Sequence, residues 1–143
     1  MPEIRPRVVV ADDEEVIANT LAMILSQAGF ETRAVYSGEK ALEIMPDFLP
    51  DMLISDVVMG GITGIETAIQ VRAMLPFCKI LLFSGQACTA NMLEEARALG
   101  HEFDILTKPV HPADLLARIR TAVPHHSNIA VPGSEALLSS SQS

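Results

Sequence analysis

Near-continuous apolar runs recur along this chain, and they constrain its fold more than any other feature. VVVA, MLIS, KILLFS and FDILT are typical of buried strands, and TRAVY is typical of a further short strand. Strands that are apolar at every position, and not only at alternate positions, belong to parallel sheets that helices cover on both faces. The pattern therefore predicts an α/β protein, and the 143 residues, 49% of them hydrophobic, suit one domain with a real core.

Helical patterns separate the first strands. Apolar residues at helical spacing predict a first helix from Asp13 to Ala28, ended by Gly29. Ser37 is a good N-cap for a second helix, which we expect to stop at Pro46 because proline cannot donate to the preceding turn.

The remaining helices carry their own end signals. Thr63 and Glu66 have the spacing of a capping box at the start of the third helix. Thr89 can cap a fourth helix that runs through Leu99, and Pro112 suits the first turn of the last helix. Five βα units in the strand order 2-1-3-4-5 result, a doubly wound parallel sheet of the flavodoxin-like type with helices on both faces.

Polar residues at the ends of four predicted strands are expected to meet at one edge of the sheet. They are Asp12 and Asp13 after the first strand, Asp56 after the third, Ser84 at the end of the fourth and Lys108 after the fifth. Ligands of such sheets bind outside the carboxyl ends of the strands, where the strand order reverses, here between strands one and three. We therefore expect the three aspartates to lie together, flanked by the serine and the lysine.

The segments that hold these residues, VVVADDEE, LISDVVMGGITGIE, LLFSG and LTKP, resemble the receiver domain of bacterial two-component response regulators. The Ser- and Pro-rich composition of residues 124–143 predicts a disordered tail. The resemblance implies a stand-alone receiver domain over the preceding residues 1–123. It also implies that Asp56 accepts a phosphoryl group from a sensor histidine kinase or a phosphotransfer protein. Ser84 would be the switch hydroxyl, and Lys108 would contact the phosphoryl group.

Mg²⁺ is the cofactor that the resemblance implies. This cation prefers an octahedron of hard oxygens, so Asp13, Asp56 and the backbone carbonyl of Val58 are the expected direct ligands, with Asp12 acting through water. The domain is not expected to be an enzyme beyond catalysing its own phosphorylation and dephosphorylation.

Charge and hydropathy limit the classes of partner that we expect for this chain. The net charge is −8 and the Lys and Arg residues are scattered, so the basic stripe that nucleic acid requires is missing. No apolar stretch is long enough for a membrane span or a signal peptide, and we expect a cytoplasmic protein in which Cys78 and Cys88 are free thiols. Output is expected through contact with a downstream protein or by passing the phosphoryl group onward in a phosphorelay, and a homodimer through the fourth helix, fifth strand and last helix is one option.

Two departures from the family pattern bear on activation. Met59, Gly60 and Gly61 stand where receivers commonly have Met-Pro-Gly, so this loop lacks a fixed φ angle and should be more mobile unless packing compensates. Ile105 stands where the family usually has an aromatic ring, and Phe103 lies on the same face of the strand one pleat earlier. The sequence does not determine whether Phe103 takes over the role of that ring.

Three other classes of protein share parts of the pattern. A haloacid dehalogenase-type phosphatase would need a second aspartate two residues after Asp56, where this chain has Val58. A flavin-binding electron carrier would need hydrogen-bond donors after the first strand, where ADDEE would repel a phosphate. A degenerate receiver that docks partners without phosphorylation is the alternative function, and the intact acidic cluster argues against it.

Overall fold

A five-stranded parallel sheet in the order β2-β1-β3-β4-β5 forms the centre of the molecule. The computed structural model describes residues 5–85 and 89–122. Its strands are β1 (Arg7–Ala11), β2 (Glu31–Val35), β3 (Met52–Asp56), β4 (Lys79–Ser84) and β5 (Asp104–Thr107). Its helices are α1 (Glu15–Gln27), α2 (Gly38–Phe48), α3 (Gly64–Met74), α4 (Thr89–Ala98) and α5 (Pro112–Ala122). The predicted doubly wound fold is confirmed, whereas Cys88 and the predicted tail over 124–143 lie outside the described residues.

Helices cover the two faces of the sheet unequally. On one face α1 and α5 pack against alternate strand residues such as Val10, Ile54 and Phe83. On the other face α2, α3 and α4 pack against the intervening residues, such as Leu53 and Leu82. Every residue of β3 is buried, which explains why its first three residues, Met52 to Ile54, are all apolar.

Two of the predicted helix starts are confirmed by their hydrogen bonds. The Ser37 hydroxyl accepts the Lys40 N–H at 3.0 Å at the start of α2. At the start of α3, the Thr63 hydroxyl accepts the Glu66 N–H at 3.0 Å, and the Glu66 carboxylate accepts the Thr63 N–H at 2.8 Å. Each bond satisfies a backbone donor that has no partner within its own helix.

The prediction that the second helix stops at Pro46 is wrong. Helix α2 continues to Phe48, and the Leu49 N–H closes it on the carbonyl of Met45 at 3.0 Å. A proline removes one hydrogen bond from a helix, but here the last turn buries Phe48, whose ring also lies 4.8 Å from the Arg33 guanidinium carbon. Burial of this ring offsets the lost bond.

Smaller boundary differences occur elsewhere. Helix α1 begins at Glu15, two residues after the predicted start, and β5 begins at Asp104, so Phe103 lies immediately before it. The predicted cap Thr89 is the first residue of α4, and its side chain is outside the described part of the chain. No helix within the described ranges is both long and apolar enough to cross a membrane.

Candidate functional site

Strand β1 delivers two aspartates with different surroundings to the carboxyl edge of the sheet. Asp12 is buried, and its Oδ1 accepts the Glu14 N–H at 2.9 Å. Asp13, the next residue, is exposed. The chain thus presents one carboxylate held inside the site and one that faces the solvent.

Strand β3 ends at Asp56, which is 9% exposed. The following turn is tight, because the Val57 carbonyl accepts the Gly64 N–H at 2.8 Å and α3 begins directly beneath the strand end. A Cβ atom at Gly64 would collide with the Asp56 carbonyl oxygen and lie 2.9 Å from Ser55 Oγ. Only glycine therefore allows α3 to begin this close to the candidate phosphoacceptor.

Lys108 reaches from the end of β5 across to both buried aspartates. Its Nζ lies 3.3 Å from Asp12 Oδ2 and 3.4 Å from Asp56 Oδ2. The backbone N–H of Lys108 donates to the Ser84 carbonyl at 2.9 Å, so the end of β4 fixes where the lysine side chain starts. The Lys108 ammonium thus links the ends of β1, β3 and β5, which are far apart in sequence.

The electrostatics of the site reflect partial burial of opposite charges. Burial raises the pKa of the Asp56 carboxyl above its ordinary value; the Lys108 ammonium opposes this shift without cancelling it, and the Asp12 charge adds to it. Burial acts to lower the pKa of Lys108, but the Asp56 and Asp12 carboxylates outweigh it and raise that pKa. The carboxylates are therefore short of positive charge, and the lysine is held in its charged form.

Ser84 ends β4 on the edge where the aspartates lie. It is 9% exposed and sits in register with Thr107 of β5. Val58 lies two residues beyond Asp56 in the loop that leads to α3, and this residue is 38% exposed. The structure thus gathers Asp12, Asp13, Asp56 and Lys108 in direct proximity, with Ser84 on the neighbouring strand end.

The three aspartates form a cluster that suits a hard cation. One carboxylate oxygen from each of Asp12, Asp13 and Asp56 lies within 4.8 Å of the others. Three hard oxygens that converge beside a solvent-exposed edge match the preference of Mg²⁺ for a few carboxylates completed by water. The donor set present in the chain therefore fits this cation.

Sequence reasoning missed two residues that shape the site. Gly64 was not singled out because a glycine at the start of a helix gives no sign of what it approaches in space. Glu39, in the first turn of α2, accepts the Ile62 N–H at 3.1 Å and so contacts the loop that carries Val58. Glu39 and Ile62 are separated by 23 positions in the sequence, so no local pattern reveals this contact.

The doubly wound sheet of this order matches the fold of solved CheY-like proteins, and its carboxyl edge holds an acidic cluster that faces a lysine. A family model of the response regulator receiver domain matches residues 8–120, and the chain belongs to this family. The resemblance inferred from the sequence is therefore confirmed. Receiver domains of this family act in two-component signalling.

Relatives support the same assignment. The alkaline phosphatase synthesis transcriptional regulatory protein PhoP of Bacillus subtilis (strain 168) is 33% identical over 132 residues, which cover 90% of this chain and 52% of that protein. The chain thus spans about half the length of this relative.

Solved structures with the same fold include two receivers. Chemotaxis protein CheY4 of Vibrio cholerae, crystallised at low pH, is 28% identical with a TM-score of 0.75, and the match covers 84% of this chain and 100% of that one. The signal receiver domain of an HD domain-containing protein from Pseudomonas fluorescens Pf-5 is 24% identical with a TM-score of 0.77, and the match covers 87% of this chain and 99% of that one. The second similarity concerns the fold alone.

Proposed function

We propose that this chain is a phosphorylation-activated switch, in which Asp56 accepts a phosphoryl group from a sensor histidine kinase or a phosphotransfer protein in a Mg²⁺-dependent reaction. The observation that carries the proposal is the group formed by Asp12, Asp13, Asp56 and Lys108 at the carboxyl edge of the sheet. The proposed receiver domain covers residues 1–123, with 124–143 as a tail outside it, and we place it in the cytoplasm with its kinase.

The chemical step needs a nucleophile and little else from the protein. An Asp56 carboxylate oxygen forms a bond to phosphorus while the P–N bond of the phosphohistidine breaks, and the electron pair stays on the imidazole nitrogen. No general base is required because the carboxylate carries no proton to remove. The chain would catalyse only its own phosphorylation and dephosphorylation, so we do not class it as a conventional enzyme.

Charge is the main obstacle, because three clustered carboxylates repel an anionic phosphoryl group. Mg²⁺ bound there would supply the positive charge that lets the phosphoryl group approach. Asp13, Asp56 and the backbone carbonyl of Val58 are the proposed direct ligands, with Asp12 acting through water. The Lys108 ammonium, already 3.4 Å from Asp56 Oδ2, is placed to contact an equatorial oxygen of the phosphoryl group.

Output is proposed to begin at Ser84, whose hydroxyl can donate to the phosphoryl group and draw the end of β4 inward. Ile105 offers neither a ring nor a hydroxyl to report that movement. Phe103 packs against the same side of the core as Ile105, and the Arg72 guanidinium carbon lies 4.4 Å from its ring centroid. We propose that repacking near Phe103 carries the signal to the surface of α4, β5 and α5, where a downstream protein or a second copy of the chain would bind.

Beryllofluoride, which stands in for the phosphoryl group, tests this function by amide-resolved NMR. With Mg²⁺, wild type should show shifts around Asp56 that extend through residues 89–108, because a bound anion favours one of two states. The Ser84→Ala variant should bind the anion but lose the distant shifts, and Phe103→Leu should reduce them.

The same experiment separates the alternative functions. Absence of any beryllofluoride-dependent shift in wild type would contradict the proposal and favour an unphosphorylated docking module. Shifts confined to the surroundings of Asp56 would support phosphoryl uptake but contradict the output step, and would favour a phosphorelay role.

A further inference from the structure

The loop between β3 and α3, residues 57–63, is held at one point by a residue from another helix. Glu39 lies in the first turn of α2, and its Oε2 accepts the Ile62 N–H at 3.1 Å. This backbone donor lies just outside the start of α3 and belongs to the loop that carries Val58, a proposed metal ligand. A single carboxylate therefore ties α2 to the candidate metal site.

The neighbouring glycine makes room for that carboxylate. Gly61 has a φ angle of +82°, in the left-handed region that favours glycine. A Cβ atom at this position would lie 2.5 Å from Glu39 Oε2 and 2.9 Å from Oε1. A Cβ atom at Gly60 would meet nothing within 4 Å. The two adjacent glycines thus have different roles, and only Gly61 is fitted to Glu39.

Close packing between α2 and α3 fixes where Glu39 begins. A Cβ atom at Gly38 would collide with Thr67 Oγ1 and lie 2.6 Å from a side-chain carbon of Ile62. Thr67 is fully buried, so α2 begins against a part of α3 that has little freedom to move. Glu39 therefore projects from a fixed position and not from a mobile surface turn.

The loop has a second anchor at its other end. Met59 is buried in the core on the α2, α3 and α4 face of the sheet. Between this anchor and Ile62 the chain has two glycines in succession, where the family commonly has a proline that would fix one φ angle. In its place the structure supplies the packing of Met59, the packing of the Ile62 side chain against Gly38, and the Glu39 hydrogen bond.

We propose that Glu39 is a positioning residue for the metal site: its carboxylate fixes the loop between β3 and α3 and thereby the part of the chain that presents Val58 to Mg²⁺. This inference rests on the proposed Mg²⁺-dependent function. Glu39 itself does not act as a ligand; it reduces the number of loop conformations that must be given up when the cation binds.

Calorimetric titration with Mg²⁺ alone tests the proposal in three variants of the full chain. Glu39→Ala should weaken binding about threefold to tenfold, because an unrestrained loop must be ordered on binding. Glu39→Gln should stay within about twofold of wild type, because its amide oxygen can accept the same N–H. Glu43→Ala removes an exposed charge from the same helix, one turn further on, and is the matched control for charge alone.

Ionic strength and stability must be controlled in that comparison. Titrations at about 0.15 M salt limit long-range effects of the lost charge, since the Debye length is then about 8 Å. Thermal unfolding should show that all three variants fold. Hydrogen exchange without metal supplies an independent readout, and the Ile62 amide should exchange roughly fivefold faster in Glu39→Ala but not in Glu39→Gln.

A glycine pair provides the second test. Gly61→Ala should both displace the Glu39 carboxylate and strain the backbone at its positive φ angle, and so weaken Mg²⁺ binding at least as much as Glu39→Ala does, whereas Gly60→Ala should bind as wild type. Equal Mg²⁺ affinity in wild type and Glu39→Ala would overturn the positioning role and leave the proposed function intact. Equal losses in Glu39→Ala, Glu39→Gln and Glu43→Ala would overturn it too, because charge alone would then explain the effect. Absence of Mg²⁺ binding in wild type would overturn the proposed function, and this inference with it.

Discussion

Replacing Lys108 by methionine is expected to weaken the metal-free fold and to tighten Mg²⁺ binding at the same time. The Lys108 Nζ lies 3.3 Å from Asp12 Oδ2 and 3.4 Å from Asp56 Oδ2. The three side chains are 24%, 2% and 12% exposed, so these contacts are mostly shielded from water. Methionine keeps an unbranched apolar chain but leaves two buried carboxylates without their cation.

The distances set the size of the effect. At an effective dielectric constant of about 20, each pair attracts with about 5 kcal/mol, most of which is offset by the cost of removing both charges from water. We expect the free energy of unfolding to fall by about 2 to 3 kcal/mol without metal. Bound Mg²⁺ would replace the missing charge, so this loss should shrink in saturating Mg²⁺.

The free energy of Mg²⁺ binding must change by the amount of stability that Mg²⁺ restores to the variant, because unfolding and metal binding form one thermodynamic cycle. If Mg²⁺ recovers about 1.4 kcal/mol of the stability lost in Lys108→Met, the variant binds the cation about tenfold more tightly. Phosphoryl uptake should nevertheless fall, since the ammonium proposed to contact the phosphoryl group is gone.

Urea unfolding with and without Mg²⁺, combined with calorimetric titration, measures both sides of this cycle. Lys79→Met is the matched control, because Lys79 is exposed and begins β4 at the opposite edge of the sheet. Unchanged metal-free stability in Lys108→Met, or weaker Mg²⁺ binding than in wild type, would refute the electrostatic reasoning.

Three further predictions concern the ligands, the buried thiol and the turn after β3. Asp13→Ala should weaken Mg²⁺ binding more than Asp12→Ala in calorimetric titration, since Asp12 is proposed to act through water; equal affinity in Asp13→Ala and wild type would remove Asp13 from the site. Burial raises the pKa of Cys78 to about 12, so iodoacetamide at about pH 8 should modify this thiol only after unfolding, as read by peptide mass spectrometry. The unfolded chain loses the Cys78 proton nearer pH 9.0, so the contribution of the neutral thiol to stability is present below this pH and is lost as the pH rises towards 12. Equal alkylation of native and unfolded protein would contradict both the protection of the thiol and its raised pKa. Gly64→Ala should lower the free energy of unfolding by about 2 to 3 kcal/mol, against less than about 0.5 kcal/mol for Gly60→Ala, and similar urea midpoints for the two would show that the turn can relax.

Much of the fold was predictable because its signals are local or periodic. The capping box of Thr63 and Glu66 and the N-cap Ser37 involve residues three positions apart, and both are present. The prediction that the second helix stops at Pro46 was wrong because it considered only the hydrogen bond that a proline removes. It did not include the burial of Phe48 two residues later.

The candidate site was predictable only in part. Topology alone brings Asp12, Asp56 and Lys108 to one edge, so their proximity followed once the strands were recognised as parallel. The contact of Glu39 with Ile62 and the fit of Gly64 beneath Asp56 depend on how two helices pack, and no spacing in the sequence encodes that packing. The expectation of a mobile loop over Met59 to Gly61 could not anticipate these anchors for the same reason.

The central claim is that Asp56 is the sole phosphoryl acceptor, and intact-mass spectrometry tests it most directly. Incubation of the full chain with Mg²⁺ and a small phosphodonor should add one base-labile phosphate to wild type and none to Asp56→Asn. Omission of Mg²⁺ should prevent the addition in wild type, because the carboxylate cluster then repels the donor. Retention of the added phosphate in Asp56→Asn, or failure of wild type to acquire it with Mg²⁺ present, would contradict the account.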